Sequence, residues 1–341
     1  MIILTVHKVI LVGCGGMANT WLDYAQQKEH VELVGLVDLN RQAAQQKAEE
    51  RNLDIAVFTD LEEAIQETKA DLLFDVTVPT AHLQVVSTGL HAGCHVFGEK
   101  PMSDNLKHAQ EMADLAKQTG KTYAVMQNRR YWKEIRTLRD KVEQGHLGKL
   151  HTINSDFFLA PHFGGFREEM DHPLLIDMAI HTFDQARFIS GCNAKSVYCH
   201  EFNPSGSWYD GNASVICIFE MENDVVYTYR GSWAAEGLRT SWNADWRVIG
   251  TQGTATWDGF DKLESETMKE PVSDSFLREM ERQSLNNTWQ GEETHFGCLD
   301  AMFEAITEGR LPETNCFDNI ESMKMVFAAI ESAEKGQKVY L

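Results

Sequence analysis

The sequence holds no apolar run near the roughly 18–20 residues that a membrane span needs. It also lacks any C-x-x-C pair, internal repeat or low-complexity linker, and it is short of positive charge. Each absence removes a class of function. The apolar opening Met1-Ile2-Ile3-Leu4 is interrupted by Thr5, His7 and Lys8 and runs on with no small-residue cleavage site. It therefore does not read as a signal peptide. The seven cysteines are scattered and odd in number, which excludes a zinc ribbon and argues against a disulfide framework; a reducing cytoplasm is the expected setting. Lysine and arginine number 31 against 51 acidic residues, a formal charge of −20. That balance repels polyanions and anionic membranes, so neither nucleic acid nor a membrane is expected as a partner. What remains is a chain of 341 residues, 43% hydrophobic and 24% charged, which suits a soluble protein of two domains.

The stretch that organises the chain is Val9-Ile10-Leu11-Val12-Gly13-Cys14-Gly15-Gly16-Met17-Ala18. An apolar run ends in a glycine turn, and a helix-compatible segment follows. This is the pattern of a buried strand that delivers backbone N–H groups and a helix N-terminus to a phosphate. Gly13 permits the tight turn, Gly15 lets the backbone approach a pyrophosphate, and Ala18 stands at the helix-packing position. Any strand-to-helix turn favours glycine, so the second half of the signature decides. The run Val31–Val37 ends in Asp38, about 20 residues past the turn, where a carboxylate accepts both ribose hydroxyls of an adenosine. A negative charge there repels a 2′-phosphate and predicts NAD over NADP. The competing reading of Asp38 is a turn residue capping the next helix.

Downstream, strands and helices alternate. Arg41–Arg51 reads as a solvated helix, Thr59-Asp60-Leu61-Glu62 has capping-box spacing, and 71–78 reads as a strand stopped by Pro79. The alternation predicts a parallel, doubly wound sheet over 1–126, an α/β Rossmann domain. Ligands bind such sheets at the carboxyl ends of the strands. That places Thr77, Pro79 and His82 at the ligand edge, with a surface histidine at a helix start as the alternative for His82. The next strand, 94–98, ends in Glu99-Lys100-Pro101. Proline fixes its own backbone, and a lysine held there can donate to a substrate hydroxyl and to the cofactor ribose. Helix 104–119 and strand 122–126 close the domain, and Asn128-Arg129-Arg130-Tyr131 begins the crossover.

Helix 131–144 ends at Gly145, and from the strand at 149–158 the pattern changes. Strand-like segments at 149–158, 194–203, 211–220, 225–235, 245–250 and 253–258 follow one another with turns between them. The expectation for 127–341 is an α+β domain with an open, predominantly antiparallel sheet. An open sheet face calls for cover, and a homodimer or homotetramer supplies it. The tail 291–335 reads as helices broken at Pro312.

One segment of this half concentrates chemistry: Asp171-His172-Pro173-Leu174-Leu175-Ile176-Asp177-Met178-Ala179-Ile180-His181-Thr182-Phe183-Asp184. Pro173 suits a first helical turn, and a helix apolar on nearly all sides is buried. Asp177 and His181 have i, i+4 spacing and share a face, with Asp184 one turn on. A buried carboxylate requires a partner or a polar cavity. The preferred reading is an acid/base histidine beside an orienting carboxylate, facing a nicotinamide across a cleft between the domains. An Asp–His hydrogen bond that satisfies two core groups, and a metal site of His172, Asp177 and His181, are the alternatives.

With both halves read, the chain resembles the Gfo/Idh/MocA family of NAD(P)-dependent sugar and cyclitol oxidoreductases over essentially its whole length. The resemblance rests on the glycine turn, Asp38, Glu99-Lys100-Pro101, Asn128-Arg129 and Asp177-x-x-x-His181. It implies a Lys–Asp–His catalytic group: Lys100 polarises the reacting hydroxyl, His181 exchanges its proton, and Asp177 binds substrate and tunes the histidine. It also implies cofactor contacts from Gly13, Gly15, Gly16, Met17, Asp38, Thr77, Pro79, His82, Glu99 and Lys100, and substrate contacts from Lys100, Asn128, Arg129, Asp177 and His181. Two departures stand out. Ala179 occupies a place where relatives often carry glycine, and the glycines before the aspartate are displaced to Gly164-Gly165, followed by an acidic insert over Arg167–Asp171. The expected activity is hydride transfer between a secondary alcohol of a sugar, sugar derivative or cyclitol and NAD, with no metal. A non-catalytic NAD- and sugar-binding regulator of the same fold, and a metal-dependent lyase or isomerase, are the rivals.

Overall fold

In the computed structural model, which describes residues 4–271 and 275–341, the N-terminal apolar runs become strands. Met1, Ile2 and Ile3 of the apolar opening lie outside the described residues. In chain order the elements are β1 (His7–Val12), α1 (Ala18–Gln27), β2 (Val31–Val37), α2 (Arg41–Glu50), β3 (Ala56–Phe58), α3 (Leu61–Thr68), β4 (Leu72–Asp75), α4 (Pro79–His91), β5 (His95–Gly98), α5 (Leu106–Thr119) and β6 (Tyr123–Val125). A 3-10 turn at Asn128–Tyr131 leads to α6 (Lys133–Glu143) and β7 (Leu150–Phe158). A π-helical segment, Leu174–Ala179, runs into α7 (Ile180–Ser190). Then come β8 (Ala194–Phe202), β9 (Ser214–Met221), β10 (Val226–Ser232), β11 (Asp245–Gly250), β12 (Gly253–Trp257), β13 (Leu263–Met268), β14 (Met280–Ser284), α8 (Thr294–Thr307), α9 (Cys316–Lys335) and β15 (Val339–Tyr340).

The chain divides into two units, one of Met1–Asn128 with Glu292–Ile320 and one of Arg129–Gly291 with Glu321–Leu341. The second unit thus differs from the uninterrupted 127–341 that the sequence suggests. The reason is the apolar face of α8. Phe303 lies within 5.8 Å of the His7 ring, 5.9 Å of Tyr24 and 5.2 Å of Phe97. The Tyr24 hydroxyl donates to Asp300 at 2.7 Å, and the Val125 N–H donates to the Thr314 carbonyl. A tail segment far along the chain therefore completes the core of the first unit.

In that unit six strands run parallel in the order β3-β2-β1-β4-β5-β6. This is the doubly wound dinucleotide-binding order, with its switch point between β1 and β4. The local chemistry follows the sequence closely. Asn40 caps α2, Asn105 caps α5, and Pro79 opens α4 where a missing N–H costs nothing. The cap of α3 is Asp60, which accepts from the Glu63 N–H. Thr59 of the expected capping box is not the cap, because Asp60, one residue on, has the extended backbone and the acceptor.

The second unit carries nine strands in the order β14-β13-β12-β11-β7-β10-β9-β8-β15, with β7 and β10 parallel and the other pairs antiparallel. Helix α7 packs on one face, where Phe183 sits 4.8 Å from Phe219 and 5.3 Å from Tyr229. On the other face Tyr198, Phe202, Ile216 and Ile218 are exposed. Strands β13, β14 and β15, not foreseen in the sequence, are polar or very short, with too little alternation to read as strands. No helix among the described residues is long and apolar enough to cross a membrane.

Candidate active site

The first unit gathers its expected cofactor residues at the carboxyl ends of β1, β2, β4 and β5. Gly13 has φ +94°, and a Cβ there would fall 2.7 Å from the Val76 carbonyl oxygen, so only glycine fits. Gly15, Gly16 and Met17 are exposed, and a Cβ on either glycine would meet nothing within 4 Å. No side chain caps α1. An open glycine turn leading into an uncapped helix N-terminus is a cradle for a diphosphate. The Asp38 carboxylate reaches back to this turn: Oδ2 accepts from the Cys14 N–H and Oδ1 from the Asn40 N–H, both at 2.8 Å. The acid is thereby oriented, with lone pairs left for hydroxyl donors. Burial, reinforced by Asp38, pushes the Cys14 thiol up to about 12, so this cysteine stays protonated and inert.

At the tip of β4 the Thr77 hydroxyl donates to Asp75 Oδ1 at 2.6 Å, and His82 Nδ1 lies 2.8 Å from Asp75 Oδ2. His82 and Asp75 are both fully buried, so the surface-histidine alternative is set aside. At the tip of β5 the Glu99 carboxylate is engaged on both sides. It accepts from Trp21 Nε1 at 2.7 Å and from the Lys100 N–H at 3.2 Å. The Lys100–Pro101 bond is cis. Asn128 Nδ2 is 3.2 Å from His295 Nδ1 of α8.

The remaining candidates belong to the second unit. Asp177 lies in the π-helical segment, and His181, buried, lies in the first turn of α7. The sequence predicts one regular helix over 173–184. The structure instead widens the turn that carries Asp177, a feature common at functional sites. Arg129 Nη1 donates to the Trp242 carbonyl and to Asn243 Oδ1, and Nη2 approaches Met178 Sδ at 3.7 Å. Burial pulls its pKa down to about 10, opposed by Tyr229 and Asp177, so it remains a cation at neutral pH.

Asp184 does not join Asp177 and His181 at a polar mouth. Its carboxylate takes a two-pronged pair of 2.7 Å bonds from Arg130 and a 2.8 Å bond from Ser322. Both ions are almost wholly buried, which makes Asp184 and Arg130 structural. Of the proposed metal ligands, His172 is paired with Glu201 at 2.6 Å, and Asp177 accepts from Arg167 Nε at 2.8 Å. Among the described residues no three His, Cys, Asp or Glu side chains are grouped to hold a metal ion.

The sequence reading missed Trp21 and Arg167. Nothing in the sequence around Trp21 signals a partner near residue 99. Arg167 was hidden in an acidic insert, where one basic residue among Glu168, Glu169 and Asp171 was the available signal.

Comparison with known proteins agrees with both units. Residues 7–127 match the oxidoreductase family with the NAD-binding Rossmann fold, GFO/IDH/MocA, and residues 135–256 match the GFO/IDH/MocA C-terminal domain. The protein y4oX of Sinorhizobium fredii, described as uncharacterized, is 29% identical over 348 residues, covering 98% of this chain and 95% of that one. D-glucoside 3-dehydrogenase of Escherichia coli is 30% identical over 207 residues, 59% of each chain. An oxidoreductase from Agrobacterium radiobacter, solved in complex with NAD+, L-tartaric acid and magnesium, shares the fold with a TM-score of 0.86 and 17% identity over 98% of both chains. With a β3-β2-β1-β4-β5-β6 sheet, a glycine turn held to Asp38 and a family match in each half, the chain belongs to the Gfo/Idh/MocA family of NAD-binding oxidoreductases.

Proposed function

We propose that the protein is an NAD-preferring dehydrogenase that oxidises a secondary alcohol of a sugar, sugar derivative or cyclitol, or reduces the corresponding ketone. The observation that carries this reading is the bond from the Cys14 N–H to Asp38, which fixes a carboxylate beside the open glycine turn. A ribose diol fits that acceptor, and a 2′-phosphate would meet its charge. Gly13, Gly15, Gly16, Met17 and Asp38 would hold the adenosine diphosphate half, with Thr77, Pro79 and Lys100 toward the nicotinamide half and the buried His82 and Glu99 bracing Thr77 and Lys100 from behind. NAD supplies the hydride acceptor when bound.

The protein's own part is proton handling and orientation. His181 takes the hydroxyl proton, Lys100 polarises the same hydroxyl, and Asp177 orients substrate and imidazole. Arg129 and Asn128 contribute to holding the polyol. In support of a carbohydrate, Trp242 is 47% exposed near Arg129 and offers a face for the apolar side of a sugar ring. A panel of aldoses, alditols and inositols with NAD or NADP, followed by absorbance of the reduced nicotinamide, tests the reading. Reduction of NAD by at least one polyol is expected. A bound polyol with no reduction of either cofactor would favour the regulatory alternative.

The exposed row Tyr198, Ile216 and Ile218 supports self-association through the second sheet, as a homodimer or homotetramer. Sedimentation of Ile218→Lys against the unaltered chain tests it, with dissociation expected. All seven cysteines are free and buried, in keeping with a reducing cytoplasm.

A further inference from the structure

Arg167 lies on a loop segment that neighbouring residues brace. Its segment leaves β7, turns through Gly164 and Gly165, both with positive φ, and forms a 3-10 turn at Gly165–Arg167. Neighbouring strands' loops hold the segment at several points. Tyr209 and Trp208 both donate to the Pro161 carbonyl, and His162 stacks on Trp208 at 3.7 Å. The N–H groups of Asp210 and Asn212 donate to the carbonyls of Glu168 and Asp171. The Glu168 carboxylate, which would otherwise compete for the arginine, is turned to the Gly164 N–H at 2.7 Å.

On this frame the Arg167 guanidinium is fixed from three sides. Its Nε donates to Asp177 Oδ2 at 2.8 Å, and its central carbon lies 5.1 Å from the Phe163 ring and 4.8 Å from the Phe166 ring. The two terminal nitrogens donate to no acceptor among the described residues, and the side chain is 36% exposed. Asp177, the partner, is 18% exposed. The Arg129 guanidinium also acts on the Asp177 carboxylate through space. Two guanidinium groups thus lie around the Asp177 carboxylate in a chain of formal charge −20.

We propose that Arg167 determines substrate specificity by binding a carboxylate, so that the polyol handled by this protein is a sugar acid. The inference rests on the dehydrogenase reading for the placing of substrate at Asp177. The chemistry is that of the guanidinium fork. With Nε committed to Asp177, the Nη1–Nη2 edge presents two parallel N–H donors, a match for the two oxygens of a carboxylate. The Asp177 bond and the contacts with the two rings restrict rotamer freedom before any ligand arrives, which favours binding. Beside it Phe163 stands 5.3 Å from Trp233 and 6.4 Å from Trp242, giving an apolar wall for the ring or chain that carries the acid.

Calorimetric titration of the NAD-loaded protein with matched pairs tests the assignment: D-glucuronate against D-glucose, D-galacturonate against D-galactose, and D-gluconate against sorbitol. In at least one pair the acid is expected to bind about tenfold or more tighter, the scale of one charge-assisted bidentate contact. In Arg167→Met that ratio collapses toward one, and in Arg167→Lys, which keeps the charge and loses the fork, it falls part of the way. Arg282→Met, which removes an exposed arginine of β14 paired with Glu264, leaves the ratio as it was. Absence of binding by every acid, equal or tighter binding of the neutral member in every pair, or an unchanged ratio in both Arg167 variants would overturn the proposal. Turnover separates the two readings. Acids bound through Arg167 with no reduction of NAD would remove the dehydrogenase reading alone, and neutral polyols oxidised with no acid bound would remove this one alone.

Discussion

Trp21 and Glu99 meet across 2.7 Å of hydrogen bond, although one lies on α1 behind the glycine turn and the other at the tip of β5 beside Lys100. The other Glu99 oxygen accepts the Lys100 N–H, so one buried carboxylate couples the diphosphate cradle to the strand end that carries the lysine. Trp21→Phe removes the donor and leaves a buried carboxylate oxygen unpaired, a loss of about 1–3 kcal/mol. A lower Tm together with weaker NAD binding is expected from thermal denaturation and NAD titration. Glu99→Gln keeps an acceptor for the indole and is expected to be the milder change. Equal stability of Trp21→Phe and the unaltered protein would show that the bond contributes nothing.

His82 gives the first unit a pH dependence. Burial by itself would depress its imidazole, but Asp75, then Glu99 and Asp104, outweigh that and hold the pKa above the ordinary 6.5. A group whose folded value is raised stabilises fully below its unfolded value, and the gain is lost as pH climbs through the folded value. The His82 contribution is therefore complete below about pH 6.5 and declines above it. His172, raised chiefly by its bond to Glu201, slopes the same way, so the informative quantity is a difference. Thermal melts of His82→Gln from pH 6 to 9 should show a shallower fall than those of the unaltered protein. Parallel curves would contradict the assignment.

Asp38→Ala removes both the ribose acceptor and the tether to Cys14. Hydrogen bonds to a charged group contribute about 1.5–3 kcal/mol each, so KM for NAD should rise at least about tenfold. The kcat/KM ratio of NAD to NADP should fall as the repelling charge disappears. Steady-state kinetics with both cofactors measure it, and an unchanged ratio would place cofactor choice elsewhere.

His181→Ala and Lys100→Met should each lower kcat by about 10²–10⁴, the range for general acid–base groups. His181→Ala should do so with NAD affinity retained, as read by quenching of protein fluorescence. Near-normal turnover in both variants would remove the proposed proton path.

Arg130 and Asp184 form the buried pair of the second unit. Removing one partner strands the other, at about 3–5 kcal/mol. Asp184→Ala should cost more than Arg130→Met, because Arg187 lies 3.8 Å from the same carboxylate and Ser322 donates to it. Chemical denaturation ranks the two, and the double variant Arg130→Met/Asp184→Leu should recover part of the loss. The reverse ranking would show that Arg187 is indifferent to the pair.

Much was settled by local sequence. Gly13 is needed where the chain must take φ +94° against the Val76 carbonyl, Pro79 and Asn40 open their helices, and the strand–helix alternation dictates a parallel sheet. These features depend on neighbours a few residues away, which is the range that periodicity and turn chemistry report. The cofactor half of the site was legible for that reason, since the glycine turn and Asp38 belong to one βαβ unit.

What tertiary structure alone decided involves partners distant in the chain. Trp21 found Glu99, Arg130 took Asp184 out of the candidate site, the tail helix α8 completed the first core, and Arg167 closed on Asp177. Apart from the apolar packing of α8, each is a contact between charged or polar groups whose cost of burial is met only by a particular partner. The identity of that partner depends on where the backbone brings it, and no local spacing encodes that.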